Sequence, residues 1–518
     1  MNTNSYDVIV VGSGMGGLTT ASILAQLAGK RVLVVERHFK LGGFTHSFRR
    51  KSYEWDVGVH YIGDMQPESM TRGIMDLVTR QGVQWNKMNS PYERFVFPNG
   101  TFDVHDGESR FQTDLIERFP NEASRIKQYF KDLRRAQSWM ARWFVSKQFS
   151  PTLASILMYF GKNLPSMTTN EYLQRFEDPL LRAILPAQWP DFGSPPSESA
   201  FGFHATVSAD FLQGGFYPVG GAKEIAIHAT KAIEDHGGKC LVNHAVKEIL
   251  VHNGKACGVT VINKGKEIQF HAPIIISNAG AVTTFGKLVP QEYCQRERER
   301  AERLKPGTSA NILFLGLKDD PRNHGFDDRN YWIYSRLDHD TQARHLDGQS
   351  KRIDGLFLSF GSLRNPGQES HTAQIINFSD EQIWSPYAET KWKQRGDEYE
   401  KEKAAIGEDM LDYVEKRMPG LRAIVDYQEL STPLTVKSFT GHWGGGIYGQ
   451  ACDKNRLFRD QWRIKTSLPN LYLTGSDVGT PGVNGAMMAG VMTAAKILGP
   501  FGLPRIFMRS HSLGKKQA

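Results

Sequence analysis

Cysteine is scarce in this chain. Cys240, Cys257, Cys294 and Cys452 are the four in 518 residues, and no two form C-x-x-C. The spacing gives no support to a metal or a redox dithiol, and four scattered thiols fit a reducing cytoplasm. No apolar run reaches the roughly 18 residues that a membrane-crossing helix needs. A signal peptide, internal repeats and low-complexity tracts are absent as well. Zinc-type spacings and RNA-binding signatures are also missing, so the net charge of +8 does not point to nucleic acid. That charge suits an anionic lipid surface or an acidic substrate. With 40% apolar and 23% charged residues, the composition is that of a folded chain, and the length predicts roughly three domain-sized units.

What is present organises itself around Asp7 to Leu27. Val8 to Val11 is a short apolar run, the mark of a strand buried on both faces. Gly12, Ser13, Gly14, Met15, Gly16 and Gly17 follow as G-x-G-x-x-G, and a helical pattern continues through Leu27. Strand, glycine turn and helix together make a diphosphate site. Gly12 permits the turn, Gly14 lets a pyrophosphate reach the backbone, and Gly17 lets helix and strand pack closely. The helix N-terminus adds free N–H groups and partial positive charge. A second strand, Arg31 to Val35, ends in Glu36, 19 residues past Gly17, near the spacing of about 20 expected for a carboxylate on a ribose hydroxyl. Gly42 and Gly43 close this unit.

Further along, Phe44 to Phe48 reads as irregular backbone. Asp56, Gly58, His60, Tyr61 and Gly63 show glycine-broken alternation that suits close approach to a ligand. Asn99-Gly100 predicts a hairpin turn between two short strands. Ser124 to Phe144 reads as a long basic amphipathic helix. Thr152 to Phe160 is nearly all apolar, and reads either as a core helix of a substrate domain or as an apolar face toward lipid. Gly214 to Gly238 opens a new ordered unit, followed by a β-meander to Ile274–Ile276 and Ser277-Asn278-Ala279-Gly280. Near the C-terminus, Leu471 to Leu473 is a buried strand followed by Gly475, Asp477 and a small-residue helix from Val483. Strand, Gly-x-Asp and helix make a second dinucleotide contact. The tail from Pro500, with Ile506, Phe507, Met508, Lys515 and Lys516, reads as frayed or weakly interfacial.

These motifs resemble the phytoene desaturase-like FAD-dependent oxidoreductases, and within them the retinol saturase and carotenoid isomerase branch. The matching stretches are GSGMGG at 12–17, Glu36 with Gly42-Gly43, DVGVHYIGD at 56–64 and GGFYPVGG at 214–221. The tract around Val246, SNAG at 277–280 and TGSDVGTPGVNGAMMAG at 474–490 match too. The resemblance implies a Rossmann-like α/β FAD domain, discontinuous over 1–80, 214–300 and 437–500. An inserted α+β substrate domain takes 81–213 and 301–436, with a tail at 501–518. It also implies that 12–17 hold the FAD pyrophosphate and Glu36 the adenosine ribose. Arg37, Gly42, Gly43 and Phe44 line the cofactor, Val246 faces the adenine, and Asn278, Gly475 and Asp477 approach the ribityl or pyrophosphate oxygens. Val483, Asn484 and Gly485 put amides near the flavin pyrimidine.

The expected chemistry is saturation or desaturation of a C=C bond in a long apolar substrate such as a carotenoid, retinoid or unsaturated lipid. Two rivals are a redox-neutral polyene isomerase and a lipid carrier of the GDP dissociation inhibitor type; a flavin oxidase of amines is a further alternative. Candidate acids are His60, Tyr61 and Tyr448, the last in GGGIYG beside His442 and Trp443. Contact with a membrane surface is expected. The electron partner is left open, because no second G-x-G-x-x-G marks a nicotinamide site.

Overall fold

The computed structural model describes residues 4–344, 353–379, 381–459 and 461–514. Lys515 and Lys516 lie outside the described residues. Three stretches far apart in sequence build one parallel sheet. Its strands run Lys239–Leu241, Val32–Val35, Val8–Val11, Ile275–Ser277 and Leu471–Leu473 in spatial order. Val8–Val11 and Val32–Val35 are fully buried, as parallel strands covered on both faces must be. Helix Met15–Ala28 packs against helix Gly482–Leu498, and the two approach closely because the contact is made of small residues. A Cβ on Gly490 would stand 2.7 Å from the Gly16 carbonyl oxygen. Thr20 Oγ1 crosses the same contact, donating to Gly16 O at 2.8 Å and lying 3.2 Å from Gly490 O.

A seven-stranded sheet stands apart from this unit, in the order Val425–Ser431, Ser309–Leu317, His371–Ser379, Gly355–Ser359, Asn330–Tyr334, Glu93–Phe97 and Gly100–Val104. Every pairing is antiparallel except Asn330–Tyr334 with Glu93–Phe97. All nine residues of Ser309–Leu317 are buried, and their alternation splits the core. Leu313, Leu315 and Leu317 join a cluster with Met410, Leu411 and Val414 of helix Asp397–Glu415. Ala310, Ile312 and Phe314 join an aromatic cluster on the opposite face. On that face one row runs across five strands through the pairs Ile312–Ile376, Ile376–Phe357, Phe357–Trp332 and Trp332–Phe95. The result is a continuous apolar plank.

Several local expectations change in three dimensions. Ser47–Arg50 is not irregular; it pairs with Tyr53–Asp56 as a hairpin. The hairpin turn between Glu93–Phe97 and Gly100–Val104 is Pro98-Asn99, with Gly100 already paired to Phe97. Helix Pro151–Tyr159 is not a core helix, since only Ala154 and Met158 are buried and its other apolar residues are at least partly exposed. Residues 502–514 are not frayed but form helix Gly502–Gly514, anchored by the fully buried Ile506.

Candidate functional site

The C-terminal ends of Val8–Val11, Val32–Val35 and Leu471–Leu473 open onto a cavity of about 940 Å³. This is where open α/β sheets place ligands. Gly12 bends the chain with φ +93°, a conformation that disfavours any side chain. No side chain caps helix Met15–Ala28, so its first N–H groups stay available toward the cavity lined by Gly14, Met15 and Gly16. Gly43 meets Gly14 so closely that a Cβ on it would stand 3.0 Å from Gly14 Cα. These bare backbones make a cradle of the kind that binds a diphosphate, with the Asn278 amide lying against it: a Cβ on Gly14 would stand 2.9 Å from Asn278 Nδ2.

Glu36 lines the cavity while its carboxylate accepts from Ser13 N at 2.9 Å, Ser13 Oγ at 2.7 Å and His38 N at 2.8 Å. Ser13 thus lies behind the cavity wall, locking Glu36 to the turn, and its Oγ also accepts from Gly42 N at 3.1 Å. Gly17 does not reach the cavity; a Cβ there would collide with Gly12 O, so its role is packing. Arg37, Gly42, Gly43, Phe44, Val246, Asn278, Gly475, Asp477 and Val483 line the cavity. Asp477 is already doubly engaged, accepting from Ala281 N at 2.8 Å and Gln450 N at 3.1 Å, and so ties two cavity loops together. Asn484 and Gly485 do not line it. Asn484 Nδ2 donates to Gly63 O at 3.0 Å and Asp210 Oδ2 at 3.2 Å, and Gly485 is packed against Thr480.

The far side of the same cavity is the apolar plank: Ile312, Trp332, Phe357, Ile376 and Phe378 line it, joined by His60, Tyr448 and Asp191. Asp56 explains why the two motifs DVGVHYIGD and GGFYPVGG belong together. Its carboxylate accepts from Ser47 Oγ at 2.6 Å, Tyr217 Oη at 2.5 Å and the Ala222 amide at 3.0 Å. His60 has its backbone carbonyl held by the buried Arg364 guanidinium at 2.7 Å. Burial, with Arg364 adding to it, drives the His60 imidazole down to about 3, so the ring is neutral at physiological pH.

Tyr61 does not line the cavity. It sits one layer behind, with Oη 2.5 Å from Glu93 Oε1 and 2.8 Å from Asp191 Oδ2. Burial, reinforced by the nearby Asp191, pushes the Glu93 carboxyl up to about 8; burial likewise pushes Asp191 up to about 7. Neither carboxyl carried a sequence signal, because Glu93 opens an ordinary strand and Asp191 follows Trp-Pro in a one-turn helix. Among the described residues, no group of three or more His, Cys, Asp or Glu side chains is placed to hold a metal.

Sheet, cradle and cavity define a Rossmann-like dinucleotide-binding protein. The model of the flavin containing amine oxidoreductases matches residues 15–498. Human all-trans-retinol 13,14-reductase is 33% identical over 95% of this chain and 85% of its own. Prolycopene isomerase of Daucus carota is 26% identical over 97% of this chain and 81% of its own. Among solved structures, cyclohexylamine oxidase from Brevibacterium oxydans superposes with a TM-score of 0.57 at 16% identity, covering 98% of this chain and 99% of that one. A putrescine oxidase reaches 0.62 at 16% identity, over 96% and 99%. The chain belongs to the flavin-containing amine oxidoreductase family, and it is an FAD-dependent oxidoreductase.

Proposed function

We propose that the chain reduces a carbon–carbon double bond in a long, apolar, conjugated substrate of the retinoid or carotenoid class. The observation that carries this reading is the continuity of one cavity from the glycine cradle to the apolar plank of Ile312, Ile376, Phe357 and Trp332. A polyene offers few polar handles, so orientation must come from shape and from exclusion of water, which a continuous apolar row supplies. The relatives named as a retinol reductase and a prolycopene isomerase support that substrate class.

In this reading Gly12, Gly14, Gly16 and Gly43 hold the FAD diphosphate, Glu36 and Arg37 the adenosine end, and Val246 the adenine. Asn278, Gly475 and Asp477 support the chain between, and Val483 marks where helix Gly482–Leu498 meets the ring. When bound, the flavin supplies two electrons as a hydride equivalent. Phe44, packed edge-on to His442 at 5.4 Å, closes the wall beside it. We assign 1–80, 214–300 and 437–500 to the cofactor domain and 81–213 with 301–436 to the substrate domain. Contact with an anionic membrane surface through helix Pro151–Tyr159 gives an oily substrate its route.

Anaerobic reduction of the yellow protein, followed by a screen of polyenes, retinoids, unsaturated fatty acids and an amine control, tests the assignment. Flavin reoxidation by a polyene, with loss of one double bond per flavin, is the expected result. Product with moved geometry and no net electron consumption makes it an isomerase. Colourless protein that FAD does not reconstitute makes it a carrier.

A further inference from the structure

Three oxygen atoms, one at the cavity wall and two behind it, form a chain whose hydrogens do not add up unless a carboxyl is protonated. Tyr61 Oη is within hydrogen-bond distance of both Glu93 Oε1 and Asp191 Oδ2, at 2.5 and 2.8 Å. A phenol has one hydrogen and donates it once. The second short contact is a hydrogen bond only when the other carboxyl carries a proton and donates it to Tyr61 Oη. The chain therefore stores at least one carboxyl proton. Asp191 is the member that lines the cavity, facing the same space as Trp332 and Phe357. It ends the short helix Trp189–Asp191, whose Trp189 Nε1 donates to His339 Nδ1 at 3.2 Å. The Tyr448 loop is stitched to it too: Thr308 Oγ1 donates to Gly193 O at 2.6 Å, and Ile447 N to Thr308 O.

We propose that Asp191 is the catalytic acid of this cavity, delivering a proton to a substrate carbon, with Tyr61 and Glu93 behind it as positioning residues and proton store. The proposal rests on the reductive reading above. The Asp191 O–H bond breaks and a C–H bond forms at one carbon of the double bond. The other carbon receives the hydride equivalent, with its two electrons, from reduced flavin. The relay starts with both carboxyls protonated, Glu93 donating to Tyr61 Oη and Tyr61 Oη to Asp191 Oδ2. After the transfer the Asp191 carboxylate takes the Tyr61 proton, and Tyr61 takes the one held by Glu93. The charge then rests on Glu93, where Trp332 Nε1 donates to Oε1 at 3.0 Å and Gln188 Nε2 to Oε2 at 2.7 Å. One proton returns from the medium per turnover. The two donors make Glu93 the best place in the chain for that charge.

The alternatives among the cavity residues are poorer acids. Burial leaves the His60 ring neutral and raises the Tyr448 phenol well above its ordinary value. A carboxyl kept protonated by its surroundings is both available and far more acidic than a phenol. The ionisable neighbours of the chain are Tyr92, Tyr334 and Tyr448, which burial keeps neutral, and the cation Arg364.

The test has two arms. Infrared difference spectra of substrate-free holoprotein, wild type minus Asp191→Asn, are expected to show a protonated-carboxyl band near neutral pH that shifts in D₂O and moves in Tyr61→Phe. Reoxidation of the reduced flavin by the polyene found in the screen is expected to slow about 10²–10⁴-fold in Asp191→Asn, with partial rescue by Asp191→Glu. Tyr61→Phe, which keeps the ring packing on Phe211, is expected to lower repeated turnover and change the solvent isotope effect. Asp191→Asn reoxidised within threefold of wild type, or no carboxyl band in the difference spectrum, overturns the proposal. Wild-type protein that no polyene reoxidises defeats the reductive reading itself, a result read without any variant.

Discussion

Gly16 shows how little room the cofactor turn leaves. A Cβ there would stand 2.6 Å from Gly475 Cα and 2.7 Å from Gly475 N, and backbone atoms on the next loop do not swing away as a side chain would. Gly16→Ala is therefore expected to purify with its flavin content reduced at least about tenfold, a loss of about 1.4 kcal/mol or more in binding, read from the ratio of flavin to protein absorbance. Full occupancy would mean that the two loops part easily. Glu93 makes the second residue-scale case. Its folded-state pKa is raised, so between about pH 4, the ordinary carboxylate value, and about pH 8 the folded chain holds a proton that the unfolded chain has released. Stability therefore falls as pH rises through that window and levels off above it. Asp56, Asp210 and Asp191 are raised as well and contribute slopes of the same sign. Glu93→Gln removes only its own share. Urea unfolding at pH 5 and pH 8 is expected to show the variant losing about 1–3 kcal/mol less than wild type between the two values. Parallel losses would show that Glu93 is ionised in the folded protein.

Among elements, helix Pro151–Tyr159 departs furthest from a packed helix. Ile156 is 60% exposed, and Phe160, just past its end, 69%, with Leu153 and Tyr159 also outward. Lys162 lies over the Tyr159 ring at 4.5 Å, setting a cation beside the apolar ridge. Apolar side chains beside basic ones are the make-up of a segment that rests in a lipid interface. Replacing both Ile156 and Phe160 with Asp is expected to cut sedimentation with anionic phospholipid vesicles severalfold and to leave the unfolding midpoint within experimental scatter, because exposed positions carry little packing energy. Undiminished binding, or no binding by the wild type, would show that this ridge is not a lipid contact. Among the described residues, no helix is long and apolar enough to cross a membrane. Periodicity alone does not tell this helix from a core helix, since an apolar run reads the same whether a neighbour or a lipid covers it.

Across the whole molecule, local signals and long-range geometry divided the information between them. The glycine turn, Glu36, Gly475 and Asp477 were legible as residues that meet at one cavity because the dinucleotide-type turn follows local backbone rules: a bend without a side chain, a helix start, an acid at fixed spacing. Four of the five strands of the parallel sheet were legible for a similar reason, each a short, strongly apolar run next to turn chemistry; Lys239–Leu241, not buried and read as part of a β-meander, takes its place only by pairing with Val32–Val35. Asp191 and Glu93 were not legible. They stand 98 and 32 residues from Glu93 and Tyr61 respectively in a chain that gives no spacing rule for carboxyls meeting across a strand, a loop and a motif. Asn484 and Gly485 read as cofactor contacts by their place at a helix start, yet only the packing of that helix on Asp210 and Thr480 fixed which way they turn. The sequence by itself determined that a nucleotide turn opens the chain and that three distant segments carry its strands, because those features are written in neighbouring residues. The tertiary structure alone decided that an apolar plank faces that turn across one cavity and that Glu93, Tyr61 and Asp191 meet at its wall, because both depend on residues that meet only when distant strands and loops come together.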